Sequence, residues 1–222
     1  MESPSADVLI ETIRTDAMGN APLWPYHEAR LVRSARALGF AAVPATLPTR
    51  IRDAVAACEP HSDFRVRLLY DRHGEATLNV YPLSALALPA KLALATSVLG
   101  ESAVLNEEEP LLRHKSTYRP WYDEATAWLA QHPECFDLLF ENESGALCEG
   151  SRTNVYVQLD GQWLTPDTSA GCLPGTQRAA LLASGQVQVA PLTLTALHHA
   201  QGVRLSNALR GWFDVRMADY SR

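Results

Sequence analysis

A lysine stands in strongly basic surroundings in the segment Arg113–Arg119 (RHKSTYR). Lys115 follows His114 and lies between Arg113 and Arg119. Neighbouring positive charges lower the pKa of a lysine amine, and the neutral amine is a nucleophile. The pattern therefore makes Lys115 a candidate for covalent chemistry, although an ordinary surface lysine in a basic loop has the same sequence.

A carboxylate precedes a turn of small residues in the segment Cys148–Val157 (CEGSRTNVYV). Glu149 is followed by Gly150 and Ser151, and the chain then runs through Asn154 into a β-strand pattern. A carboxylate beside a pyridine nitrogen keeps that nitrogen protonated, which makes the ring a better electron sink. A plain hairpin turn, whose Ser and Asn satisfy backbone groups, fits the same residues.

Two further segments could bind an anion. Gly175 and Thr176 stand at the start of a predicted helix, where backbone N–H groups and a hydroxyl can meet a phosphate. Ordinary helix capping is the alternative there, and Pro174 suits it. Leu205–Gly211 (LSNALRG) is a strand-to-turn junction whose N–H groups could complete an anion site.

Alternating and helical hydrophobic patterns place secondary structure in the first half of the chain. The acidic stretch Glu107–Pro110 suggests a boundary, so we expect a first α+β lobe that ends near residue 108. The predicted elements are strands at Asp7–Arg14, Arg65–Tyr70, Ala76–Tyr81 and Leu92–Val98, and helices at His27–Leu38 and Pro48–Ala57.

The second half combines short strands with two helices. His132 and Pro133 end the first of these helices, and the Gly-Thr pair opens the second. The predicted elements are helices at Tyr122–Gln131 and Gln177–Ala183, and strands at Asp137–Asn142, Thr153–Leu159, Gln162–Leu164, Gln186–Ala190 and Val203–Ser206.

Charge and hydropathy exclude several classes of partner. The net charge is −6 without a basic cluster, which argues against binding to nucleic acid. No apolar run reaches the roughly 18 residues of a membrane-spanning helix. Met1–Asp7 carries acidic groups and no basic group, unlike the start of a secretory signal. We therefore expect neither nucleic acid nor a membrane as a partner.

The cysteines predict a reducing compartment. Cys58, Cys135, Cys148 and Cys172 form no C-x-x-C pair and have no histidine at zinc-ligand spacing, so no metal site is expected. Without a secretory signal, we expect reduced and mostly buried thiols in a cytoplasmic protein.

The chain resembles the class IV aminotransferase family of fold-type IV pyridoxal-phosphate enzymes in six segments that occur in the family's order. Two of them are Leu9–Arg14 (LIETIR) and the segment that begins at His27–Leu31 (HEARL). The other four are the segments described above around Lys115, Glu149, Gly175 and Asn207. The family includes branched-chain and D-amino acid aminotransferases and 4-amino-4-deoxychorismate lyases. The resemblance implies an α+β, two-lobed fold with the cofactor between the lobes. We expect residues 1–108 to form a smaller N-terminal α/β lobe, and residues 109–222 to form a larger, β-rich C-terminal lobe that carries the cofactor lysine.

The resemblance also implies roles for individual residues. Lys115 matches the lysine that holds pyridoxal 5'-phosphate as a Schiff base and then moves the substrate proton. Glu149 matches the acid that pairs with the pyridine nitrogen. His27 is predicted to pack or cap rather than to catalyse. The matched phosphate ligands are Arg30, Gly175, Thr176, Asn207 and Ala208.

Departures from the family pattern favour its lyase branch. Ala208 stands where branched-chain aminotransferases have a threonine, and the lyase branch tolerates alanine there. Tyr118 stands where the family often has asparagine, which puts its expected cofactor contact in doubt. Arg119 and Arg210 adjoin cofactor segments and are candidates for binding substrate carboxylates, with a surface position as the alternative.

We therefore predict a lyase that converts 4-amino-4-deoxychorismate to p-aminobenzoate and pyruvate, a step toward folate. The first alternative is a D- or branched-chain amino acid aminotransferase acting on a small amino acid-like substrate. The second is a non-catalytic ligand-binding relative, which would need neither Lys115 nor Glu149. The resemblance further suggests a homodimer, with an aminodeoxychorismate synthase as a possible partner.

Overall fold

A computed structural model describes residues 6–220 and divides the chain into two units. The first unit takes in the described residues up to Ala85 together with His114–Tyr118. The second takes in Leu86–Arg113 and the described residues from Arg119 onward. Residues 1–5, which formed part of the argument against a secretory signal, lie outside the described residues.

The first unit is an antiparallel sheet with two helices. The strands pair in the order β1–β2–β3. Strand β2 buries every second residue, as expected for a sheet with one face on a core. Its elements are β1 (Val8–Asp16), α1 (Trp24–Ala37), α2 (Leu47–Ala56), β2 (Asp63–Asp71) and β3 (Ala76–Pro82).

A continuous apolar core joins the helices of the first unit to its sheet. Proline in the first turn of α1 and of α2 suits a helix start, because the missing N–H has no partner there. The core is made of buried side chains from all five elements, among them Leu9, Ile13, Leu31, Ala35, Ile51, Val55, Phe64, Val66, Leu68 and Tyr70.

The segment His114–Tyr118 adds a short pairing to β1. The Ile10 N–H donates to the Lys115 carbonyl at 2.8 Å, and the Thr117 N–H donates to the Val8 carbonyl at 3.0 Å. Leu9 and Ser116 thereby form an antiparallel bridge. The backbone of Lys115 is thus held by the first strand of the unit.

The second unit contains most of the β-structure. Short 3₁₀ turns at Pro110–Arg113, Pro120–Tyr122 and Thr168–Ala170 connect its elements. These elements are β4 (Ala90–Leu94), α3 (Ala95–Leu99), β5 (Val104–Leu105), α4 (Asp123–Gln131), β6 (Cys135–Asn142), β7 (Leu147–Gly150), β8 (Asn154–Leu159), β9 (Gln162–Thr165), α5 (Thr176–Ala183), β10 (Gln188–Val189), α6 (Leu194–His198), β11 (Gly202–Asn207) and β12 (Gly211–Met217).

Six strands of the second unit close into a ring. Strand β4 pairs with β6, β6 with β7, β7 with β8, β8 with β11, β11 with β12, and β12 returns to β4. Closure satisfies the backbone groups that an open sheet leaves at its edges. The ring encloses buried residues such as Leu92, Leu139, Val155, Leu205 and Phe213.

The division differs from the predicted boundary at residue 108. Residues after Ala85 pack with the second unit because β4 pairs with β6 and with β12. Lys115 packs with the first unit, rather than with the second as expected, because its segment pairs with β1. Both differences come from pairings between residues far apart in sequence.

Most predicted elements are confirmed with small changes at their ends. The exception is Leu92–Val98, predicted as one strand, which is the end of β4 followed by α3. An apolar run of this length is compatible with either structure. The predicted burial of most thiols is also confirmed, since Cys135, Cys148 and Cys172 are buried. None of the helices within residues 6–220 has the length and apolar composition needed to cross a membrane.

Candidate active site

Lys115 is half-buried in a segment fixed at several points. Besides its pairing with β1, the segment contacts α1, where the His114 ring Nδ1 and the Ser34 hydroxyl lie 2.9 Å apart. The Ser116 hydroxyl is fully buried and donates to the Tyr118 carbonyl at 3.1 Å. The Lys115 amine therefore projects from a backbone whose position is well defined, as a covalent catalytic group requires.

A buried charged trio lies beside this segment in the first unit. Arg30 donates from Nε to Oε1 of Glu11 at 2.8 Å and from Nη2 to Oε2 at 2.5 Å. Nδ1 of His27 lies 2.6 Å from the same Oε2. Relative exposures are 1% for Glu11, 0% for His27 and 5% for Arg30. The arginine predicted to bind phosphate is thus held in a bidentate ion pair.

The charges in the trio set its protonation states. Burial raises the pKa of Glu11, but the charge and hydrogen bonds of Arg30, with a contribution from His27, outweigh it and bring the pKa to about 2. Burial lowers the pKa of His27, and the charges of Arg30 and Lys115 act in the same direction. Neutral His27 then carries its proton on Nδ1 to donate to Glu11, which leaves Nε2 as an acceptor.

Glu149 lies on β7, where all four residues are buried. The Tyr122 hydroxyl donates to its Oε1 at 2.8 Å, and the Asn154 amide donates to its Oε2 at 3.2 Å. Burial and then the charge of Glu149 raise the pKa of Tyr122 well above its ordinary value, so this hydroxyl stays protonated and keeps donating. Both side chains donate to the carboxylate and hold it in one orientation.

The turn that follows Glu149 is built around a second buried carboxylate. Oδ1 of Asp137 accepts from the Ser151 N–H at 2.9 Å and from its hydroxyl at 2.6 Å. Oδ2 accepts from the Arg152 N–H at 3.2 Å and from the Thr153 hydroxyl at 2.6 Å. A Cβ on Gly150 would lie 2.3 Å from Oδ2 of Asp137, so only glycine fits there. Asp137 thus fixes the turn that follows Glu149.

Asn154 connects Glu149 to the start of helix α5. Its amide donates to the Leu173 carbonyl at 2.9 Å as well as to Glu149. A Cβ on Gly175 would lie 1.9 Å from the Asn154 side-chain oxygen, so the backbone passes too closely for any other residue. Thr176, the first residue of α5, is buried. The first N–H groups of a helix have no acceptor within the helix, which suits them to an anion.

The predicted loop at Asn207 and Ala208 is the turn between β11 and β12. The Asn207 side-chain oxygen accepts from the N–H of Leu209 at 3.1 Å and of Arg210 at 2.9 Å. Its amide donates to the Arg152 carbonyl at 3.4 Å, next to the Asp137 loop. The Asn207 side chain therefore shapes the turn.

The remaining predicted residues are Tyr118, Arg119 and Arg210. Tyr118 is 39% exposed. The Arg119 guanidinium stacks over the Tyr122 ring at 4.6 Å and donates to the Ser151 carbonyl at 2.6 Å. Arg210 is half-buried. The cofactor role of Tyr118 and the substrate roles of Arg119 and Arg210 stay predictions.

The structure therefore groups the predicted residues into two sets. Lys115, Arg30 and Tyr118 belong to the first unit, and the remaining candidates belong to the second. Sequence reasoning missed the residues that hold these groups in place, which are Glu11, Tyr122, Asp137 and Asn154. The available signal was a polar residue within an otherwise apolar buried run, as with Glu11 in β1 and Asp137 in β6.

Comparison with known proteins identifies the family. The sequence matches the family described as amino-transferase class IV over residues 8–218. The chain belongs to the class IV aminotransferase family. A Schizosaccharomyces pombe relative named "Putative aminodeoxychorismate lyase" is 32% identical over 181 residues, which cover 81% of this chain and 74% of that protein.

Solved structures agree with this assignment to the class IV family. A Mesorhizobium loti protein, described as a "putative amino-acid aminotransferase", superposes with a TM-score of 0.83 at 32% identity and covers 95% of this chain and 99% of its own. A hypothetical aminotransferase from Mycobacterium tuberculosis, in a pyridoxal-phosphate-bound form, shares the fold with a TM-score of 0.72 at 22% identity. The match covers 97% of this chain and 82% of that protein.

Members of the class IV family are pyridoxal-phosphate enzymes that act on small amino acid-like molecules, and this chain is one of them. The residues present fit the cofactor. Lys115 supplies an amine on a fixed backbone, and Arg30 supplies a buried guanidinium. Glu149 supplies a carboxylate held by neutral donors, and the start of α5 supplies backbone N–H groups.

Proposed function

We propose that this enzyme is an aminodeoxychorismate lyase, releasing p-aminobenzoate and pyruvate. The observation that carries the proposal is the similarity to the Schizosaccharomyces pombe relative, which extends over most of both chains. The Asn207–Gly211 turn supports it, because the lyase branch that the sequence resembles tolerates alanine at position 208.

In this proposal Lys115 is the covalent attachment point and the proton carrier. When bound, pyridoxal phosphate supplies an electron sink that stabilises negative charge on the carbon bearing the substrate's amino group. The Lys115 amine would remove the proton from that carbon. The backbone of Lys115 is held by its pairing with β1.

Glu149 and Arg30 bind the two ends of the cofactor in this proposal. Glu149 holds a proton at the pyridine nitrogen, and Tyr122 and Asn154 orient its carboxylate. Arg30 contacts the phosphate, together with Gly175 and Thr176. The turn at Asn207 and Ala208 adds backbone contacts. Arg119 and Arg210 are our candidates for the carboxylates of the substrate.

The proposed reaction balances without a second amino acceptor. Proton loss from the ring carbon that bears the amino group allows the neighbouring carbon–oxygen bond of the enolpyruvyl ether to break. The ring becomes aromatic and keeps its nitrogen, and the enolpyruvate leaves and takes up a proton to give pyruvate. Neither an oxidant nor a 2-oxo acid is consumed.

An amino acid aminotransferase is the second candidate. The observation that favours it is the Mesorhizobium loti structure, which matches nearly all of both chains at 32% identity. The same Lys115, Glu149 and Arg30 would serve that reaction. The difference lies in the need for a 2-oxo acid, which reloads an aminotransferase but is not consumed by the lyase.

A product assay separates the two candidates. The cofactor-loaded chain is given aminodeoxychorismate with no 2-oxo acid, and p-aminobenzoate and pyruvate are measured over many turnovers. The lyase predicts sustained and equal release of both products. Product that appears only on addition of a 2-oxo acid, or turnover of amino acids with no release of p-aminobenzoate, would reject the lyase and favour the aminotransferase.

We further propose that the chain forms a homodimer and that an aminodeoxychorismate synthase is its partner. The resemblance to the family supports the first, and the substrate of the proposed reaction supports the second. Analytical ultracentrifugation of the cofactor-loaded chain, alone and mixed with a purified synthase, tests both proposals.

A further inference from the structure

The trio of Glu11, His27 and Arg30 occupies a place where apolar residues would pack well. Its neighbours on β1 and α1 include Leu9, Ile13, Leu31 and Ala35, all of them in the core of the first unit. A buried ion pair costs desolvation energy that its own attraction often fails to recover. Packing alone therefore gives little reason for three polar side chains at this point of the core.

The two hydrogen bonds between Arg30 and Glu11 restrict the orientation of the Arg30 guanidinium. Glu11 accepts from Nε and Nη2, which lie on one side of the planar guanidinium. Two parallel hydrogen bonds fix both the plane and the rotation of the group. The Arg30 guanidinium is thereby held in one orientation.

His27 in turn restricts the orientation of the Glu11 carboxylate. Its Nδ1 lies 2.6 Å from Oε2 of Glu11, the oxygen that also accepts from Nη2 of Arg30. His27 and Arg30 stand three residues apart on α1, so they point to the same side of that helix. The carboxylate of Glu11 thus receives donors from successive turns of one helix.

The strand that carries Glu11 also positions Lys115. The neighbouring residue, Ile10, donates its N–H to the Lys115 carbonyl at 2.8 Å. Strand β1 therefore links the proposed covalent attachment point to the residue that holds Arg30. A cofactor whose aldehyde and phosphate lie at a fixed separation is recognised best when both protein groups are held at a matching separation.

We propose that Glu11 is a positioning residue for cofactor binding, which holds the Arg30 guanidinium for the phosphate, and that His27 fixes Glu11 in this task. The inference rests on the proposed role of Arg30. It adds a residue that touches neither cofactor nor substrate and that acts through the arginine. The rival explanation is that the trio only stabilises the fold.

The affinity for pyridoxal 5'-phosphate, compared with the affinity for pyridoxal, separates these explanations. Both compounds carry the aldehyde that reacts with a lysine, but only the first carries the phosphate. A positioning role therefore affects one ligand, whereas a general loss of structure affects both. The preference for the phosphorylated form is the quantity to measure, by titration of the cofactor-free chain.

In the proposal, Glu11→Gln lowers this preference on the order of tenfold, because the charge-assisted bidentate pair is lost. Binding of pyridoxal stays within about twofold on the same reasoning. Asp63→Asn is the matched control, because it removes the carboxylate of the exposed Arg14–Asp63 pair in the same sheet. It should leave both affinities unchanged.

Glu11→Asp provides the same comparison if the glutamine variant fails to fold, because it keeps the charge but withdraws the carboxylate from Arg30. Equal losses for both ligands, or no loss for either, would overturn the positioning role. Arg30→Lys tests the underlying assumption separately. If that variant keeps the full phosphate preference, the proposed role of Arg30 fails, whatever Glu11 does.

Discussion

The two units of the chain bury carboxylates with opposite kinds of partner. In the first unit Glu11 lies against the guanidinium of Arg30, so its charge is cancelled by a cation. In the second unit Asp137 accepts from backbone N–H groups and from the hydroxyls of Ser151 and Thr153, all of which are neutral. Glu149 likewise accepts from the neutral side chains of Tyr122 and Asn154.

The difference shows two uses of a buried charge. An ion pair holds a cation in one orientation, which is what the proposed contact of Arg30 with a phosphate requires. Neutral donors stabilise an anion without cancelling it, so the carboxylate can fix a loop or attract a developing cation.

Glu149→Gln should have the largest effect, because it removes the negative charge that neutral donors preserve. We expect cofactor to remain bound while turnover falls on the order of a hundredfold or more. Steady-state kinetics and cofactor absorbance measure the two quantities. Glu143→Gln, at an exposed position of the same unit, is the control. Undiminished turnover of Glu149→Gln would remove the proposed role of Glu149.

Asp137→Asn should destabilise the second unit by about 4 kcal/mol, because an amide cannot accept the hydrogen bonds that both carboxylate oxygens now accept. The free energy of unfolding, measured by chemical denaturation, tests this. The exposed Asp214→Asn is the matched control on β12 and should change stability by less than about 1 kcal/mol. A similar small loss in both variants would contradict the account of the Asp137 loop.

The ion pair of the first unit predicts a loss of stability in acid. Because the pKa of Glu11 is about 2 in the folded chain and 4.5 is its ordinary value, its contribution is present above pH 4.5 and is lost as the pH falls toward 2. The loss amounts to roughly 3 kcal/mol. The lowered pKa of His27 adds a decline that begins below its ordinary value of 6.5, since the unfolded chain binds the proton more readily.

Unfolding free energies measured as a function of pH test this sign and range. Glu11→Gln should show a shallower decline below pH 4.5 than the unaltered chain, and Asp63→Asn should keep the original slope. If the free energy of unfolding falls equally with pH in Glu11→Gln and in the unaltered chain, Glu11 does not cause the loss of stability in acid.

The sequence predicts helices and strands far better than it predicts the partners of the buried carboxylates. Strand β2 and helix α1 follow from periodic burial, which is a local property. Strand β7 was missed because its four residues are all buried and show no alternation. The pairing of the Lys115 segment with β1 joins residues more than a hundred positions apart, so no local pattern contains it.

In the candidate site, too, some residues are predicted from the sequence and others are recognised only in the structure. Lys115, Glu149 and Arg30 are predicted from the sequence because they lie in segments with a recognisable order. Asp137 was read only as the first residue of a strand, and Glu11 as part of another. Their partners lie on other elements, and a single sequence does not show which polar residue of a strand faces which neighbour.

Tyr122→Phe should have the smallest effect of the series. It removes one of the hydrogen bonds to Glu149 but leaves the charge, so we expect a stability loss of about 1 kcal/mol and a fall in turnover of less than about tenfold. Tyr156→Phe is the matched control, since that buried hydroxyl lies 2.8 Å from the Ser206 hydroxyl instead. A turnover loss for Tyr122→Phe as large as that for Glu149→Gln would show that orientation, rather than charge, limits the reaction.

The most direct test of the account is to locate the lysine that binds the cofactor. The sequence contains one other lysine, Lys91, which is exposed on β4 and serves as an internal control. Borohydride reduction of the loaded chain, followed by peptide mapping, should place the pyridoxyl group on Lys115, retain it in Lys91→Arg and abolish it in Lys115→Arg. Label on Lys91, or label that persists in Lys115→Arg, would contradict the account.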